Sequence, residues 1–242
     1  MIYDDAPDLY DLQYAAYRDD IPFYLRLADE LGGPVLELGA GTGRVTAALA
    51  RAGHAVVAVD AAPAMLARAG RRLPEGATVE LVEADMRELD LGREFPLVIA
   101  PFNTLMHAYT VPDQDRTLTG VRRHLVPGGT FAFDLFRPHL GQLGVVRREP
   151  TWAGLGEHID LFLVQDHDPD AQLLESVYYL DVRSPDGAIT RRRTRLLQRY
   201  YHRFELERAL AQAGFGRVRL FGGFDRGRLE ASSALMVGLA GG

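Results

Sequence analysis

The chain has 242 residues, 47% hydrophobic and 25% charged, an ordinary globular composition of a length that suits one α/β domain with an elaboration rather than two enzymatic domains. Its formal net charge of -6 argues against a nucleic-acid partner, since phosphate neutralisation favours a basic face, and its lack of cysteine excludes disulfides, thiolate nucleophiles and cysteine-based zinc sites. No apolar run reaches membrane-spanning length and the start, Met1-Ile2-Tyr3-Asp4-Asp5, is acidic where a signal peptide is basic, so the expectation is a cytoplasmic protein with no membrane partner.

In chain order, Leu9, Leu12, Ala16, Phe23, Leu27 and Leu31 recur at roughly helical spacing, broken near Pro22, and predict one or two helices packed over the ligand-binding edge of a sheet. From Val35 onward short apolar runs alternate with helical patterns, the signature of βα units and a parallel sheet. Strands are expected at 35–38, 55–59, 78–82, 97–100 and 130–134, with helices at 44–52, 64–73 and 113–125 between them. Pro127-Gly128-Gly129 predicts a turn that ends the last helix and feeds the fifth strand. After Phe136 the runs 157–165, 173–183 and 190–199 read as antiparallel strands joined by Asp168-Pro169-Asp170 and Ser184-Pro185-Asp186-Gly187 turns. An amphipathic helix at 203–213, closed by Gly214, and two strands at 216–221 and 233–239 complete the expected sheet.

The chemistry concentrates in Val35-Leu36-Glu37-Leu38-Gly39-Ala40-Gly41-Thr42-Gly43, an apolar strand running through three alternate glycines into a helix. Glycines there permit positive φ and close ligand approach, and the helix N-terminus offers free N–H groups. A dinucleotide fingerprint wants a further Gly or Ala where this chain has Arg44, and Glu37 adds negative charge unfavourable to a pyrophosphate. A phosphate-free, zwitterionic ligand with an ammonium group tolerates that charge better. Val57-Ala58-Val59-Asp60 then puts a carboxylate where a ribose presents two hydroxyls, and Glu83-Ala84-Asp85-Met86 puts a second at the next strand tip. Asp85 suits an adenine amino group and Met86 a soft contact with the ring. Asp60 is also placed to cap the helix that follows, before Pro63.

Taken together these motifs, from Val35 to Asp134, resemble the class I S-adenosylmethionine-dependent methyltransferase family, in its small-molecule N-methyltransferase-like branch. The resemblance implies an α/β fold: a Rossmann-like, seven-stranded, mostly parallel sheet with an antiparallel last strand, plus an antiparallel β insertion after strand five. It divides the single domain into a helical lid at 1–34, a core at 35–136 and 203–242, and a flap at 137–202. It implies S-adenosyl-L-methionine as cofactor, with S-adenosyl-L-homocysteine as product. Gly39, Gly41 and Gly43 then lie beside its amino-acid end, Asp60 on the ribose and Asp85 at the adenine, with Glu37, Ala40, Arg44, Ala61, Met65, Met86 and Pro101 as further cofactor contacts. One departure is Phe95-Pro96, where many relatives carry Asp after an aromatic; it should alter only how strand four begins.

Methyl transfer is an in-line displacement at carbon, so such an enzyme mainly positions a nucleophile and excludes water. The segment Ala100-Pro101-Phe102-Asn103-Thr104-Leu105-Met106-His107 lacks the Asn/Asp-Pro-Pro-aromatic cluster of nucleic-acid amino methyltransferases and looks like that of small-molecule enzymes. Asn103 is a candidate to orient the cofactor or acceptor, and His107 a candidate general base; the alternative for His107 is a satisfied structural histidine. Tyr10, Tyr14 and Tyr17, with Arg18 beside them, read either as lid contacts to the cofactor carboxylate or as rings packed on the sheet. Trp152, Tyr178, Tyr179, Tyr200 and Tyr201 are candidates to roof the acceptor or to fill the flap's core, and Arg191, Arg193 and Arg195 share a strand face that suits solvent, a homodimer contact or an anionic acceptor. No metal ligand set is expected, and the partner is a small-molecule methyl acceptor. Two rival classes stand beside this reading: a non-catalytic S-adenosylmethionine-binding protein, and a nicotinamide-dependent oxidoreductase, which Arg44, Glu37 and the absence of lysine disfavour.

Overall fold

The computed structural model describes residues 7–14, 17–138, 140, 147–149 and 159–242. These divide into two compact units, Arg18–Arg137 with Tyr201–Gly242, and Met1–Tyr17 with Pro138–Tyr200. The division falls at Tyr17/Arg18, and the segment before it belongs with the insertion.

The larger unit is built on a seven-stranded sheet: β1 (Val35–Leu38), β2 (Val56–Asp60), β3 (Val79–Glu83), β4 (Phe95–Ala100), β5 (Leu125–Phe136), β10 (Arg217–Phe221) and β11 (Leu235–Gly241). The order across it is β10-β11-β5-β4-β1-β2-β3. Strands β1 to β5 pair in parallel, while β11 runs antiparallel to both β5 and β10. Every residue of β1 and of β2 is buried, as central parallel strands covered on both faces require. The helices are α2 (Ile21–Leu31), α3 (Arg44–Arg51), α4 (Pro63–Gly70), α5 (Val111–Arg123) and α6 (Arg203–Gln212). On α2, Phe23, Tyr24, Leu27 and Ala28 are buried, joining Val35, Val45, Leu97, Ile99 and Val237 in one apolar core.

Two prolines behave differently from the sequence expectation. Pro22 sits in the first turn of α2, where a missing N–H leaves no helical bond unmade, so it opens that helix rather than breaking one. Pro127-Gly128-Gly129 lies inside β5: Leu125 pairs with Phe95 and Thr130 with Leu97, so three extra residues bulge from the ladder. The same irregularity accommodates Pro96, which lacks a ladder donor, in an interior strand.

The smaller unit holds α1 (Pro7–Tyr14) and an antiparallel sheet in the order β6-β7-β8-β9, from β6 (Arg147–Glu149), β7 (Ile159–Asp168), β8 (Leu173–Arg183) and β9 (Ile189–Arg199). Three strands were expected there. The three-residue β6 is too short to show a period in sequence. Within this unit Tyr14 donates to the Tyr178 hydroxyl at 3.1 Å, and the Tyr10 and Tyr14 rings stack with centroids 5.2 Å apart. Trp152 and the start of the strand expected from Glu157 lie outside the described residues.

Candidate active site

The glycine loop between β1 and α3 shows three different reasons for glycine. All three have left-handed φ: +61° at Gly39, +56° at Gly41 and +77° at Gly43. A Cβ on Gly39 would stand 2.6 Å from Thr104, and one on Gly43 would stand 2.8 Å from the Ala69 Cβ, so both glycines are also demanded by packing. A Cβ on Gly41 would meet only the Gly39 carbonyl, at 3.9 Å. That position opens onto free space, as a ligand-facing backbone should.

Asp60, the last residue of β2, turns its carboxylate back onto this loop. Oδ2 accepts from the Gly41 amide at 2.7 Å and Oδ1 from the Ala62 amide at 2.9 Å, so the side chain is fixed and buried beside the open position. It serves the turn into α4 and the loop together. Ala40 is buried, its amide donating to the Val59 carbonyl at 3.0 Å; Ala61 is exposed and Met65 buried along the start of α4.

Glu37 is sealed beneath the loop, accepting from the Thr46 hydroxyl of α3 at 2.7 Å. Burial pushes its carboxyl up to about 8, so it is mostly uncharged at neutral pH in the ligand-free protein. Arg44 makes a bidentate pair with Asp20, both contacts 2.5 Å, and its guanidinium covers the Phe102 ring at 5.4 Å. Beside it Arg18 is held below the usual arginine range by burial and by the Arg44 and Arg72 charges, while Arg72 donates to the Thr42 hydroxyl at 3.0 Å. At the β3 tip Asp85 is clasped by Arg87, which donates from its backbone at 2.9 Å and from Nε at 2.8 Å. The pair holds the Asp85 carboxyl below its ordinary value. Met86 is half-buried in the turn that follows.

At the β4 tip, Phe102 and Asn103 are consecutive non-glycine residues in the left-handed region, at φ +52° and +67°. Each such residue costs about 1–2 kcal/mol and persists only where its surroundings over-determine it. Here they do. Asp134 Oδ1 accepts from the Phe102 amide at 2.9 Å and from the Tyr24 hydroxyl at 2.5 Å, and the Asp134 carbonyl accepts from the Asn103 amide at 3.1 Å. The Asn103 side-chain oxygen accepts from the Phe136 amide at 2.6 Å, so this oxygen braces the end of β5. The buried Pro101 carbonyl accepts from the Thr104 hydroxyl at 2.7 Å, at the start of a 3-10 turn, Thr104–His107. Burial pushes the Asp134 carboxyl up to about 7 and lifts the Tyr24 hydroxyl well above its ordinary value.

His107 closes that turn, with Nδ1 3.2 Å from the Tyr109 hydroxyl. Burial pushes its imidazole down to about 4, which leaves it neutral at physiological pH. His124 is instead a satisfied structural residue, with Nδ1 2.7 Å from the Gly120 carbonyl and Nε2 2.9 Å from the Leu91 amide. Among the described residues no group of acidic or histidine side chains is arranged to hold a metal ion, and no helix is long and apolar enough to cross a membrane.

The structure brings the predicted glycine loop and Asp60 together, and adds Asp20, Tyr24 and Asp134, which the sequence reading did not single out. Asp134 carried a usable signal, since it ends the apolar run Phe131-Ala132-Phe133 just as Asp60 ends its own. Asp20 and Tyr24 carried none. The roof candidates divide: Tyr178 and Tyr200 belong to the smaller unit, Tyr179 lies under Arg191, and Tyr201 is buried in the larger unit, donating to the Leu105 carbonyl at 3.1 Å.

A parallel sheet that ends in one reversed strand, with a glycine loop answered by a carboxylate at the neighbouring strand tip, defines the methyltransferase type of Rossmann-like domain. The methyltransferase-domain family matches residues 35–129. The cypemycin N-terminal methyltransferase of a Streptomyces species is 36% identical over 149 residues, 61% of this chain and 60% of that one. The dTDP-3-amino-3,4,6-trideoxy-alpha-D-glucopyranose N,N-dimethyltransferase of Streptomyces venezuelae is 28% identical over 132 residues, covering 52% and 54%. The chain therefore spans between half and two thirds of the length of these curated relatives. Among solved structures, the CcbJ methyltransferase of Streptomyces caelestis superposes with a TM-score of 0.83 at 29% identity, over 100% of this chain and 98% of that one. Residues 35–129 thus match a methyltransferase domain, and the chain shares the fold of the CcbJ methyltransferase along its length.

Proposed function

We propose that this protein transfers a methyl group from S-adenosyl-L-methionine to a small molecule, at an amine nitrogen. The observation that carries the reading is the open Gly41 backbone beside the fixed Asp60 carboxylate, a site shaped for a ribose diol and a phosphate-free tail. When bound, the cofactor supplies a methyl carbon made electrophilic by its sulfonium. Asp60, fixed beside the loop, is the acceptor for the ribose hydroxyls. The glycine loop gives close contact without side chains, and Arg18 offers a cation to a carboxylate. Pro101, Phe102 and Asn103 shape the β4 tip next to the loop.

His107 is proposed as a neutral hydrogen-bond acceptor rather than a proton store, because an imidazole pushed down to about 4 is a weak base. An amine that arrives as its free base already has the lone pair needed for in-line attack. Transfer to a hydroxyl is the second reading, and it requires a base to take the hydroxyl proton, a task for which an imidazole pushed down to about 4 is poorly suited. The name of one curated relative, an N,N-dimethyltransferase, favours nitrogen.

Thermal-shift measurements with S-adenosylhomocysteine and with NADH test the cofactor. Ligand at a hundred times its Kd should stabilise the fold by about 2.7 kcal/mol. Stabilisation by NADH alone would overturn the reading. Turnover of an amine and hydroxyl panel with labelled cofactor then separates an enzyme from a cofactor-binding protein without catalysis.

A further inference from the structure

We propose that Asp134 is a positioning residue for the cofactor cleft, holding the left-handed Phe102–Asn103 turn in the shape that seats Thr104 against Gly39; this deepens the methyltransferase reading and rests on it. Three observations converge. The turn is held at Phe102 by the Asp134 side chain and at Asn103 by the Asp134 backbone, so one residue fixes two successive amides. Both helical anchors of the arrangement come from the start of α2: Tyr24 donates to Asp134, and Asp20 holds the Arg44 guanidinium over the Phe102 ring. Immediately after the turn, Thr104 fills the space that a side chain at residue 39 would take. The glycine loop therefore rests on the turn, and the turn rests on Asp134.

A carboxylate tied to a tyrosine and an amide in this way need not touch the cofactor or acceptor. It acts by holding backbone in a conformation that L-residues rarely adopt. Asparagine at 134 keeps an acceptor oxygen for both donors, whereas alanine removes it.

The test pairs a measurement without ligand and one with it, on the full-length chain. In amide hydrogen exchange, Phe102 and Asn103 should lose at least about tenfold in protection in Asp134→Ala and keep it in Asp134→Asn. In calorimetry with S-adenosylhomocysteine, Asp134→Ala should bind about tenfold more weakly or worse, and Asp134→Asn within about threefold of the parent. Glycine adopts the left-handed region freely, so in a Phe102→Gly background Asp134→Ala should cost markedly less affinity than in the parent. Unchanged protection in Asp134→Ala would overturn the hold on the turn. Lost protection with unchanged affinity, or equal losses in the two backgrounds, would overturn its role in the cleft. A parent protein that does not bind S-adenosylhomocysteine would instead sink the methyltransferase reading, while the exchange data still report on the turn.

Discussion

The two sheets treat charge in opposite ways. In the parallel sheet and its flanking helices, Asp20, Glu37, Asp60 and Asp134 are all buried, each held by an amide, a hydroxyl or the Arg44 guanidinium. In the antiparallel sheet the charges are displayed and paired across strands: Arg191 donates to Asp181 directly opposite it at 2.6 Å, and Arg195 pairs with Glu175. A buried carboxylate is expensive and survives only where hydrogen bonds are built for it, whereas an exposed pair contributes little. The arginine stripe on β9, a candidate anion site in the sequence, is thus in part a set of cross-strand pairs, and the chemistry collects where charge is costly.

If that contrast is right, substitutions should act in graded fashion. Asp60→Ala should weaken S-adenosylhomocysteine by about a hundredfold in calorimetry, from two lost charge-assisted bonds to the ribose. An unchanged Kd would break the contrast at its strongest point.

Glu37→Gln should next alter the pH dependence of melting. A carboxyl raised from 4.5 to about 8 binds more protons folded than unfolded between those values, so its contribution falls as pH rises through that window. His107, pushed down to about 4, acts oppositely below its ordinary 6.5, and Asp134, raised to about 7, acts in the same direction as Glu37, so the effect of Glu37 is read as the difference between variant and parent above pH 6.5. The variant should lose less melting temperature between pH 6.5 and 8 than the parent, by several degrees, with Thr46 still bonded to the amide. Parallel melting curves would show that Glu37 is charged in the fold.

Asp85→Asn should reduce cofactor affinity by only about threefold, because Arg87 already occupies that carboxylate. A loss as large as that of Asp60→Ala would put the adenine contact on a level with the ribose contact. At the small end, Arg191→Ala should leave both melting temperature and affinity unchanged.

How far the sequence reached follows the same contrast. Continuous apolar runs located β1, β2 and β4 to within two residues, because central parallel strands buried on both faces leave no ambiguity of face, whereas β5 begins five residues before its expected start. Alternate glycines and a strand-terminal acid made the Gly39–Gly43 loop and Asp60 legible as neighbours, and the Gly41 amide does donate to Asp60. The pair between Arg44 and Asp20 was not legible, because Asp20 lies 24 residues earlier, before a different helix. The tie from Tyr24 to Asp134 spans 110 residues and leaves no local mark. Nor does composition reveal that Phe102 and Asn103 take positive φ, a conformation set by tertiary bonds against local preference.

The three residues extruded at Pro127-Gly128-Gly129 have a consequence for how such a domain tolerates change. Leu125 and Thr130 face β4 partners only two positions apart, so the bulge acts as slack at the far end of the sheet from the strand tips. A residue gained or lost in the exposed Pro127-Gly128 segment is taken up there, and the pairing of Phe133 with Ala100 is insulated from it. Length variation on that edge is mechanically decoupled from the geometry at Asp134.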